Sequence, residues 1–463
     1  MAKKMAIISS YFQGESYGLL GPQMAATVIR DHTPYECIVI ALSREDSKTS
    51  VKKALSDYFG TERPIVAFST LSGREDLFTL AFELKKEGAV TFLAGPQAGV
   101  DYQGEDGWKE HPHRFRGLSE NFLFALQGPA EQAAALLKGI ENKAWEDTPG
   151  LLYPDIHGRI KQNPTRVWNE TYLGRVCWST IYRVDRDGLE PLNITLGQVL
   201  QQIGCPYAAR ERTLDIETPA AFEGRTGEAV KVTLKGCSFC DVAADKGFYG
   251  ELKLETVLSQ IACLPEIEKG VKIPFELINE NALPHLPLLL RAVRERGIRL
   301  SQINLILRAD WFLKGEKRIR ESLGLAGEMG FRILLASVGF EAFDDRLLKN
   351  FNKGADVKTN LNAVRLMRRL KQDFPLQWAY SREQGALHGF IHPTPWDTDG
   401  ISAATRQNIA IYSLNADILP PHSTPLIIHH ASCLGQWIRE IEARDGIRFK
   451  RYGSVIGWWE RSE

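Results

Sequence analysis

The amino-acid sequence predicts an α/β protein in which an N-terminal doubly wound parallel sheet is followed by a partial (β/α)6 barrel and a small C-terminal region. Short apolar, β-branched runs alternate with longer segments of helical charge spacing in both halves of the 463 residues, as in parallel sheets covered by helices. A turn-rich segment with several prolines near residue 147 separates the halves. The predicted domains are residues 1–145, a linker at 146–195, the barrel at 196–398 and the C-terminal region at 399–463.

The N-terminal sheet is predicted from five strand-like runs, "MAIISS", "YECIVIAL", "PIVAFST", "AVTFLAG" and "NFLFALQG". Ligands of doubly wound sheets bind beyond the carboxyl ends of the strands. The candidate binding loops are therefore residues 14–21, 69–73, 95–99 and 128–131. Each contains a glycine, which lets the backbone approach a ligand closely.

The barrel is predicted from a second series of strand-like runs, "KVTLK", "KIPFELI", "QINLIL", "RILLASV", "ALHGFI" and "ADILP". Helical segments separate them, and the clearest has Val357, Leu361, Val364 and Met367 on one apolar face. Chemistry in such barrels occurs at the C-terminal ends of the strands. Since Cys237 directly follows "KVTLK", it is predicted to lie at such an end.

Composition excludes several classes of protein. Lys plus Arg and Asp plus Glu number 57 each, so no overall charge favours nucleic acid or an anionic membrane surface. The opening "MAKKMAIISSYFQG" has too few apolar residues for a signal peptide or a membrane span, and we expect a cytoplasmic protein. Seven irregularly spaced cysteines indicate no disulfide framework. No glycine-rich phosphate motif is present in the sequence.

Two cysteines separated by two residues, Cys237 and Cys240, have the spacing of paired metal thiolates in a turn that contains glycine. The alternative is a pair of buried apolar side chains, which suits Cys37 and Cys263 better. A structural zinc would need two more Cys or His ligands, and none lies within twenty residues on either side. An iron-sulfur cluster that leaves one iron open needs three thiolates, and Cys205 in "QIGCPYAARE" is the best third candidate.

These segments resemble the radical SAM superfamily, in which three cysteines spaced CxxxCxxC hold a 4Fe-4S cluster and the fourth iron binds S-adenosylmethionine (SAM). "KGCSFCDV" resembles the second half of that motif and "IGCPYA" its opening, although 31 residues separate Cys205 from Cys237 instead of three. Farther on, "LILRADWF", "GEMGFRILLASVGFEAFDD" and "ALHGFIHPTPWDT" are similar, in the same order, to segments of the superfamily's cobalamin-dependent branch. The similarity covers about residues 200 to 400.

The resemblance implies a set of SAM contacts. The backbone of Phe239 would lie against adenine, Glu280 or Asn281 would receive the methionine ammonium group, and Arg308 and Glu341 would contact the carboxylate or the ribose. The alternative for the last two is a salt bridge across the barrel mouth.

Histidines near a barrel strand end are candidate substrate contacts. His388 and His392 could transfer protons or bind a substrate carboxylate, or they could be structural histidines.

The N-terminal half resembles the cobalamin-binding domain that precedes the barrel in the same branch. The resemblance implies cobalamin contacts in "STLSG", "LAGPQAG" and "LQGPAEQ", at Ser69, Thr70, Gly95, Gly99 and Gly128. The lower-ligand histidine of that family is absent between Tyr11 and Gln23. Either cobalamin binds without a histidine ligand, or the domain keeps only the shape.

The predicted function is that of a radical SAM enzyme, which cleaves SAM reductively and functionalises an unactivated carbon of a small molecule. A donor such as flavodoxin or ferredoxin would supply the electron, and bound cobalamin would imply methyl transfer. The alternatives are rearrangement or oxidation without cobalamin, or a non-catalytic cobalamin- or metal-binding sensor or scaffold. The polar insertion at 206–236 is predicted to be a lid or a substrate-contacting loop, with a flexible surface loop as the alternative.

Overall fold

A computed structural model describes residues 2–12, 19–70, 74–95, 98, 121–185, 188–219, 229–240, 248–429, 432–452 and 455–461. The chain divides into two compact units. The first is Met1–Gly197 with Cys263–Pro265 and Tyr452–Ser454, and the second is Gln198–Ala262, Glu266–Arg451 and Val455–Glu463. Within the described ranges, no helix is both long and apolar enough to span a bilayer.

The first unit is built on a nine-stranded sheet in the order β7-β6-β5-β4-β3-β1-β2-β8-β9. The strands are β1 (Lys3–Ser10), β2 (Tyr35–Leu42), β3 (Ile65–Ser69), β4 (Val90–Ala94), β5 (Phe124–Leu126), β6 (Leu151–Pro154), β7 (Ile160–Gln162), β8 (Ile181–Asp185) and β9 (Gly188–Pro191). β1 to β5 and β8 pair in parallel, whereas β6, β7 and β9 pair antiparallel. The helices are Leu20–His32, Lys48–Phe59, Glu75–Lys86 and Glu131–Asn142.

The strand order positions a ligand crevice in this unit. β1 lies between β2 and β3, so the chain crosses to opposite sides of β1 when it forms these two strands. Crevices in such sheets open beyond the carboxyl ends of the strands on either side of the switch point. Residues after β1 and β3 are therefore the candidate ligand contacts, and Ser69 and Thr70 are among them.

The second unit contains a six-stranded sheet in the order β10-β17-β19-β20-β21, with β22 paired to β20. Its strands are β10 (Gly197–Leu200), β11 (Gln202–Gly204), β12 (Glu211–Glu217), β13 (Ala229–Lys235), β14 (Phe248–Glu251), β15 (Glu266–Glu268), β16 (Val271–Lys272), β17 (Phe275–Ile278), β18 (Arg299–Leu300), β19 (Gln302–Leu307), β20 (Arg332–Glu341), β21 (Trp378–Ala379), β22 (Gly389–Phe390), β23 (Ile428–His429), β24 (Phe449–Tyr452) and β25 (Val455–Arg461). Its helices are Leu254–Cys263, Leu286–Glu295, Ala309–Lys314, Glu316–Met329, Asp345–Asn350, Val357–Asp373, Asp399–Ile411, Leu414–Asp417 and Cys433–Asp445.

Two of the predicted barrel strands do not belong to the six-stranded sheet, so the prediction that Cys237 lies at the end of a barrel strand is wrong. "KVTLK" belongs to β13, which pairs with β12 in a two-stranded ribbon, and the sheet strand that precedes Cys205 is β10. The run alternates exposed Lys231, Thr233 and Lys235 with less exposed residues, which is the pattern of a ribbon with one solvated face. "ADILP" begins at the end of the helix Leu414–Asp417 and contains no strand.

The insertion at 206–236 folds as a hairpin, which we call the insertion hairpin (β12 and β13). The antiparallel register runs from Glu211 opposite Lys235 to Glu217 opposite Ala229. Glu217 anchors it, since its N–H donates to Asn350 Oδ1 (3.2 Å) and its carbonyl accepts from Trp396 Nε1 (2.7 Å). Residues 220–228, including the polar Glu223 and Arg225, lie outside the described residues.

A hydrophobic core joins this hairpin to the C-terminal region. Ile216 is fully buried, and its core includes Trp396, Leu434, Trp437 and Ile438. The described strands of the insertion therefore pack against the rest of the second unit and do not project into solvent.

We expect Ile216→Ala to lower the free energy of unfolding of the second unit by about 2–5 kcal/mol, because it leaves a cavity in this core. Thr213→Ala on the exposed face of the same strand is the control, and because it removes only an exposed cross-strand hydrogen bond to Thr233, the expected change is at most about 1 kcal/mol. Urea titrations followed by tryptophan fluorescence would measure both. Equal midpoints for the two variants would contradict the packed hairpin.

Candidate functional site

The insertion hairpin brings distant cysteines to neighbouring positions. Cys205 follows β11 and precedes the short 3-10 turn Pro206–Ala209, which leads directly into β12. Because Glu211 pairs with Lys235, the chain returns beside its starting point just before Cys237. Gly236 turns the chain there with φ +68°, a conformation that glycine adopts without strain.

The segment 236–240, which we call the cysteine loop, is fixed by backbone hydrogen bonds. The N–H of the buried Ser238 donates to the carbonyl of Phe351 (3.0 Å), and its hydroxyl donates to the carbonyl of Asn350 (2.8 Å). Asn352 Nδ2 donates to the Gly236 carbonyl (2.6 Å). The Cys240 N–H donates to the Cys237 carbonyl (3.3 Å) and closes the turn. Both thiols of the loop thus project from a backbone with little freedom.

The three predicted cysteines are partly buried, and none forms a disulfide with another described cysteine. Burial raises the pKa of Cys205, and the negative charges of Glu280 and Cys237 add to the effect, which indicates that these groups are close. Within the described ranges, no three His, Cys, Asp or Glu side chains surround a single metal ion. That finding does not conflict with a cluster, because each thiolate of an iron-sulfur cluster binds a different iron.

Charged side chains gather at the carboxyl ends of strands in the six-stranded sheet. Arg308 follows β19 and is 4% exposed. Its Nε donates to Asp310 Oδ1 (3.1 Å) and its Nη2 donates to the Lys353 carbonyl. Lys353 is also buried, and its Nζ donates to Glu341 Oε1 (2.9 Å). The salt bridge considered between Arg308 and Glu341 does not form, because each pairs with another residue.

Local backbone geometry makes room for the Lys353–Glu341 pair. Glu341 ends β20 at φ +62°, in the left-handed region that a non-glycine residue adopts at a cost. A Cβ at Gly339 would come within 2.7 Å of both Glu341 Oε1 and Lys353 Nζ, and one at Gly389 within 2.9 Å of Glu341 Oε2. A side chain at either position would force the ends of Glu341 or Lys353 to shift from this arrangement.

The sequence prediction missed Lys353 as a member of this site. Burial acts to lower the pKa of Lys353, but the negative charges of Glu341 and Cys237 outweigh it and the pKa is raised. Lys353 is therefore a buried cation beside the cysteine loop. No pattern in the sequence indicated that its side chain points inward.

Glu280 and Asn281 follow β17 at the same edge of the sheet. The Asn281 N–H donates to Asn279 Oδ1 (2.7 Å), and Asn279 Nδ2 donates to Gln201 Oε1 (3.0 Å). Desolvation raises the pKa of Glu280, although Lys353 and Arg308 oppose the shift. Glu280 is nevertheless exposed by its accessible surface. The two observations agree if its carboxyl lies in a concave part of the surface with little surrounding water.

The other predicted residues of the second unit are placed differently. The Phe239 ring packs edge-on against Phe351 (5.6 Å between centroids), and its carbonyl accepts from the His429 N–H (3.4 Å). Buried His388 accepts from the Val338 N–H at Nδ1 (3.0 Å), and its Nε2 donates to the Tyr380 carbonyl (2.7 Å).

Burial lowers the pKa of His388, so the ring is a neutral hydrogen-bonding bridge in the core. His392 is exposed and pairs with Asp397 (3.1 Å). Among the described residues, neither histidine forms a hydrogen bond or ion pair with the charged cluster of Arg308, Lys353, Glu341 and Glu280.

In the first unit, the candidate crevice contains a buried hydroxyl. Thr70 is 1% exposed, and its Oγ1 has no hydrogen-bond partner within the described ranges. A Cβ at Gly95 (φ +76°) would lie 2.6 Å from Ser69 Oγ, so the chain segments after β3 and β4 approach closely there. Gly128 instead packs against Gln132 in its own turn. Gly99 lies outside the described residues.

We expect Lys353→Met to lower the free energy of unfolding by about 3–5 kcal/mol, because it leaves the Glu341 carboxylate partly buried without its cation. Adding Glu341→Gln should recover part of this loss. Lys314→Met is the control, since Lys314 is 75% exposed and its pair contributes at most about 1 kcal/mol. Urea unfolding of cluster-free protein measures all three, and a double variant no more stable than Lys353→Met would contradict the pairing.

No protein-family model and no curated protein sequence matches the chain. Among solved structures, it is similar to the cobalamin-dependent S-adenosylmethionine radical enzyme OxsB. The TM-score is 0.64 at 11% identity for OxsB with aqua-cobalamin and S-adenosylmethionine bound, 0.63 at 11% with aqua-cobalamin bound, and 0.60 at 12% for the selenomethionine-labelled apo enzyme. The alignments cover 98–99% of this chain but only 63–64% of the OxsB chain. This likeness confirms the predicted α/β fold class: the chain has the fold of a cobalamin-dependent radical SAM enzyme.

Proposed function

We propose that this chain is a radical SAM enzyme in which Cys205, Cys237 and Cys240 hold a 4Fe-4S cluster. The observation that carries the proposal is the hairpin register, because it returns the chain from Cys205 to Cys237 in spite of the 31 residues between them. The rigid backbone of the cysteine loop and the fold supply the rest of the support. A cluster held by these cysteines would supply the electron for reductive cleavage of SAM, and a flavodoxin or ferredoxin would reduce the cluster.

The charged cluster suits a zwitterionic ligand such as the methionine part of SAM. The Nε and one Nη2 hydrogen of Arg308 are committed to Asp310 and Lys353, which leaves its Nη1 for a carboxylate or ribose oxygen. Glu280 or Asn281 would bind the ammonium group. The positive charge of that group would stabilise the Glu280 carboxylate, which has lost part of its hydration. Glu341 and the Phe239 backbone would contact ribose and adenine.

We place cobalamin in the crevice beyond β1 and β3 of the first unit. The buried Thr70 hydroxyl provides a donor for which the described protein offers no acceptor, and Ser69 and Gly95 lie beside it. No histidine occurs between Tyr11 and Gln23, so the corrin would bind without a histidine lower ligand. With cobalamin bound, methyl transfer to an unactivated carbon of a small molecule is the proposed reaction. Rearrangement or oxidation is the alternative when it is absent.

The cluster assignment is tested by replacing each of the three cysteines with alanine. Anaerobically reconstituted wild-type protein should contain about four iron and four sulfide per chain, and each variant should lose the cluster absorbance and the cleavage of SAM. Cys263→Ala is the matched control and should retain both. Full iron in Cys205→Ala would remove Cys205 from the site. A cluster-free wild-type protein would favour the sensor or scaffold alternative.

The cobalamin assignment is tested by gel filtration and absorbance spectroscopy of reconstituted protein. The corrin should co-elute with a spectrum that lacks a nitrogen lower ligand. Thr70→Val should weaken its binding about five- to tenfold, the value of one buried hydrogen bond. Thr79→Val, on an exposed helix position, should have no effect. Folded wild-type protein that retains no corrin would contradict the assignment.

A further inference from the structure

A tyrosine beside the cysteine loop lies between two guanidinium groups. Tyr207 is 7% exposed. The Arg308 Cζ lies 3.8 Å from the centre of its ring and the Arg212 Cζ lies 3.9 Å from it. Two groups this close to one ring centre would collide on the same face, so they occupy opposite faces. Cations over an aromatic face are attracted by its negative quadrupole.

The ring is fixed at its other end. The Tyr207 hydroxyl donates to the Asn352 carbonyl (2.8 Å). A Cβ at Gly354 would overlap that hydroxyl, so glycine there leaves space for it. Since Asn352 also donates to Gly236 at the start of the cysteine loop, the tyrosine is tied to the same backbone as the thiols.

The two arginines come from different parts of the second unit. Arg308 follows β19, whereas Arg212 belongs to β12 of the insertion hairpin. The insertion therefore supplies one of the two stacked guanidinium groups, and the residue after β19 supplies the other. Two cations on one ring also repel each other, and an anionic group bound at Arg308 would relieve that repulsion.

We propose that Tyr207 and Arg212 are positioning residues, through which the insertion hairpin orients Arg308 to bind the methionine carboxylate of SAM. The inference rests on the proposed function. A guanidinium stacked on a fixed ring loses less rotational freedom when it binds a carboxylate, because the stack has already restricted it. This role assigns the insertion to SAM binding and differs from that of a lid over the substrate.

The test measures SAM binding to anaerobically reconstituted, full-length protein by equilibrium dialysis. Arg212→Leu should raise the Kd for SAM about three- to tenfold, in line with the loss of one partly buried cation–π contact, with unchanged iron content. Arg212→Lys should give an intermediate Kd, since it keeps the charge without the planar stack. Arg210→Leu is the control of equal charge. Arg210 is exposed and stacks on no aromatic ring of the described residues, so this variant should bind SAM as the wild type does.

A second ligand separates positioning from a merely structural role. Methylthioadenosine lacks the methionine carboxylate, so Arg212→Leu should bind it as tightly as the wild type does. An unchanged Kd for SAM in Arg212→Leu would overturn the inference. Equal weakening of both ligands, with a lower Tm, would also overturn it and assign Arg212 to stability alone. Wild-type protein that holds a cluster but binds no SAM would refute the proposed function, and the inference with it.

Discussion

The antiparallel pairing of Glu211 with Lys235 is the constraint on which the candidate site depends. Without it, Cys205 and Cys237 would be the ends of a loop of 31 residues, and their approach would depend on chance closure of that loop. In the hairpin, the paired residues of β12 and β13 hold the two ends of the insertion together. Side chains of these strands also pack in the hydrophobic core of the second unit. The same hairpin brings Arg212 to Tyr207, so one register determines both the thiol positions and the cation–π stack.

Charge pairing is the second constraint at this edge of the sheet. Lys353 and Arg308 are buried cations, and an unpaired buried charge would be strongly destabilising. Each has a carboxylate partner, Glu341 or Asp310, and the Glu280 carboxyl lies within their field. The arrangement keeps positive and negative groups close together but leaves some hydrogen-bond donors, such as Arg308 Nη1, available to a ligand. A surface of this kind favours a ligand that carries both charges over one that carries a single charge.

The fold class could be predicted because it depends on local patterns. The apolar runs of β1 to β4 are buried on both faces, and such runs are evident in a sequence. The three cysteines could be selected as candidates because glycine and proline mark their turns, and their role as cluster ligands stays a prediction. By contrast, the sequence did not identify Tyr207, Arg212 or Lys353 as members of the candidate site. Tyr207 contacts Asn352, which lies 145 positions away. Arg212 and Lys353 contact residues nearer in sequence, Tyr207 and Glu341, but neither contact follows a helix or strand period that the sequence would display. "KVTLK" was misassigned because a ribbon strand and a barrel strand have similar composition and differ in their partner.

An insertion inside a metal-binding motif is compatible with the motif's geometry when it is a ribbon. Each residue added to β12 can be matched by one added to β13. The distance between the two chain ends at the base of the ribbon therefore stays the same when the ribbon becomes longer. The alternating side chains of the added residues then decide whether the ribbon packs or projects. Here Leu214 and Ile216 face the core while Thr213 and Asp215 face solvent, so the ribbon packs. The number of residues between Cys205 and Cys237 is therefore free to follow the core against which the hairpin packs, whereas the position of the two cysteines relative to each other is set by the base of the hairpin.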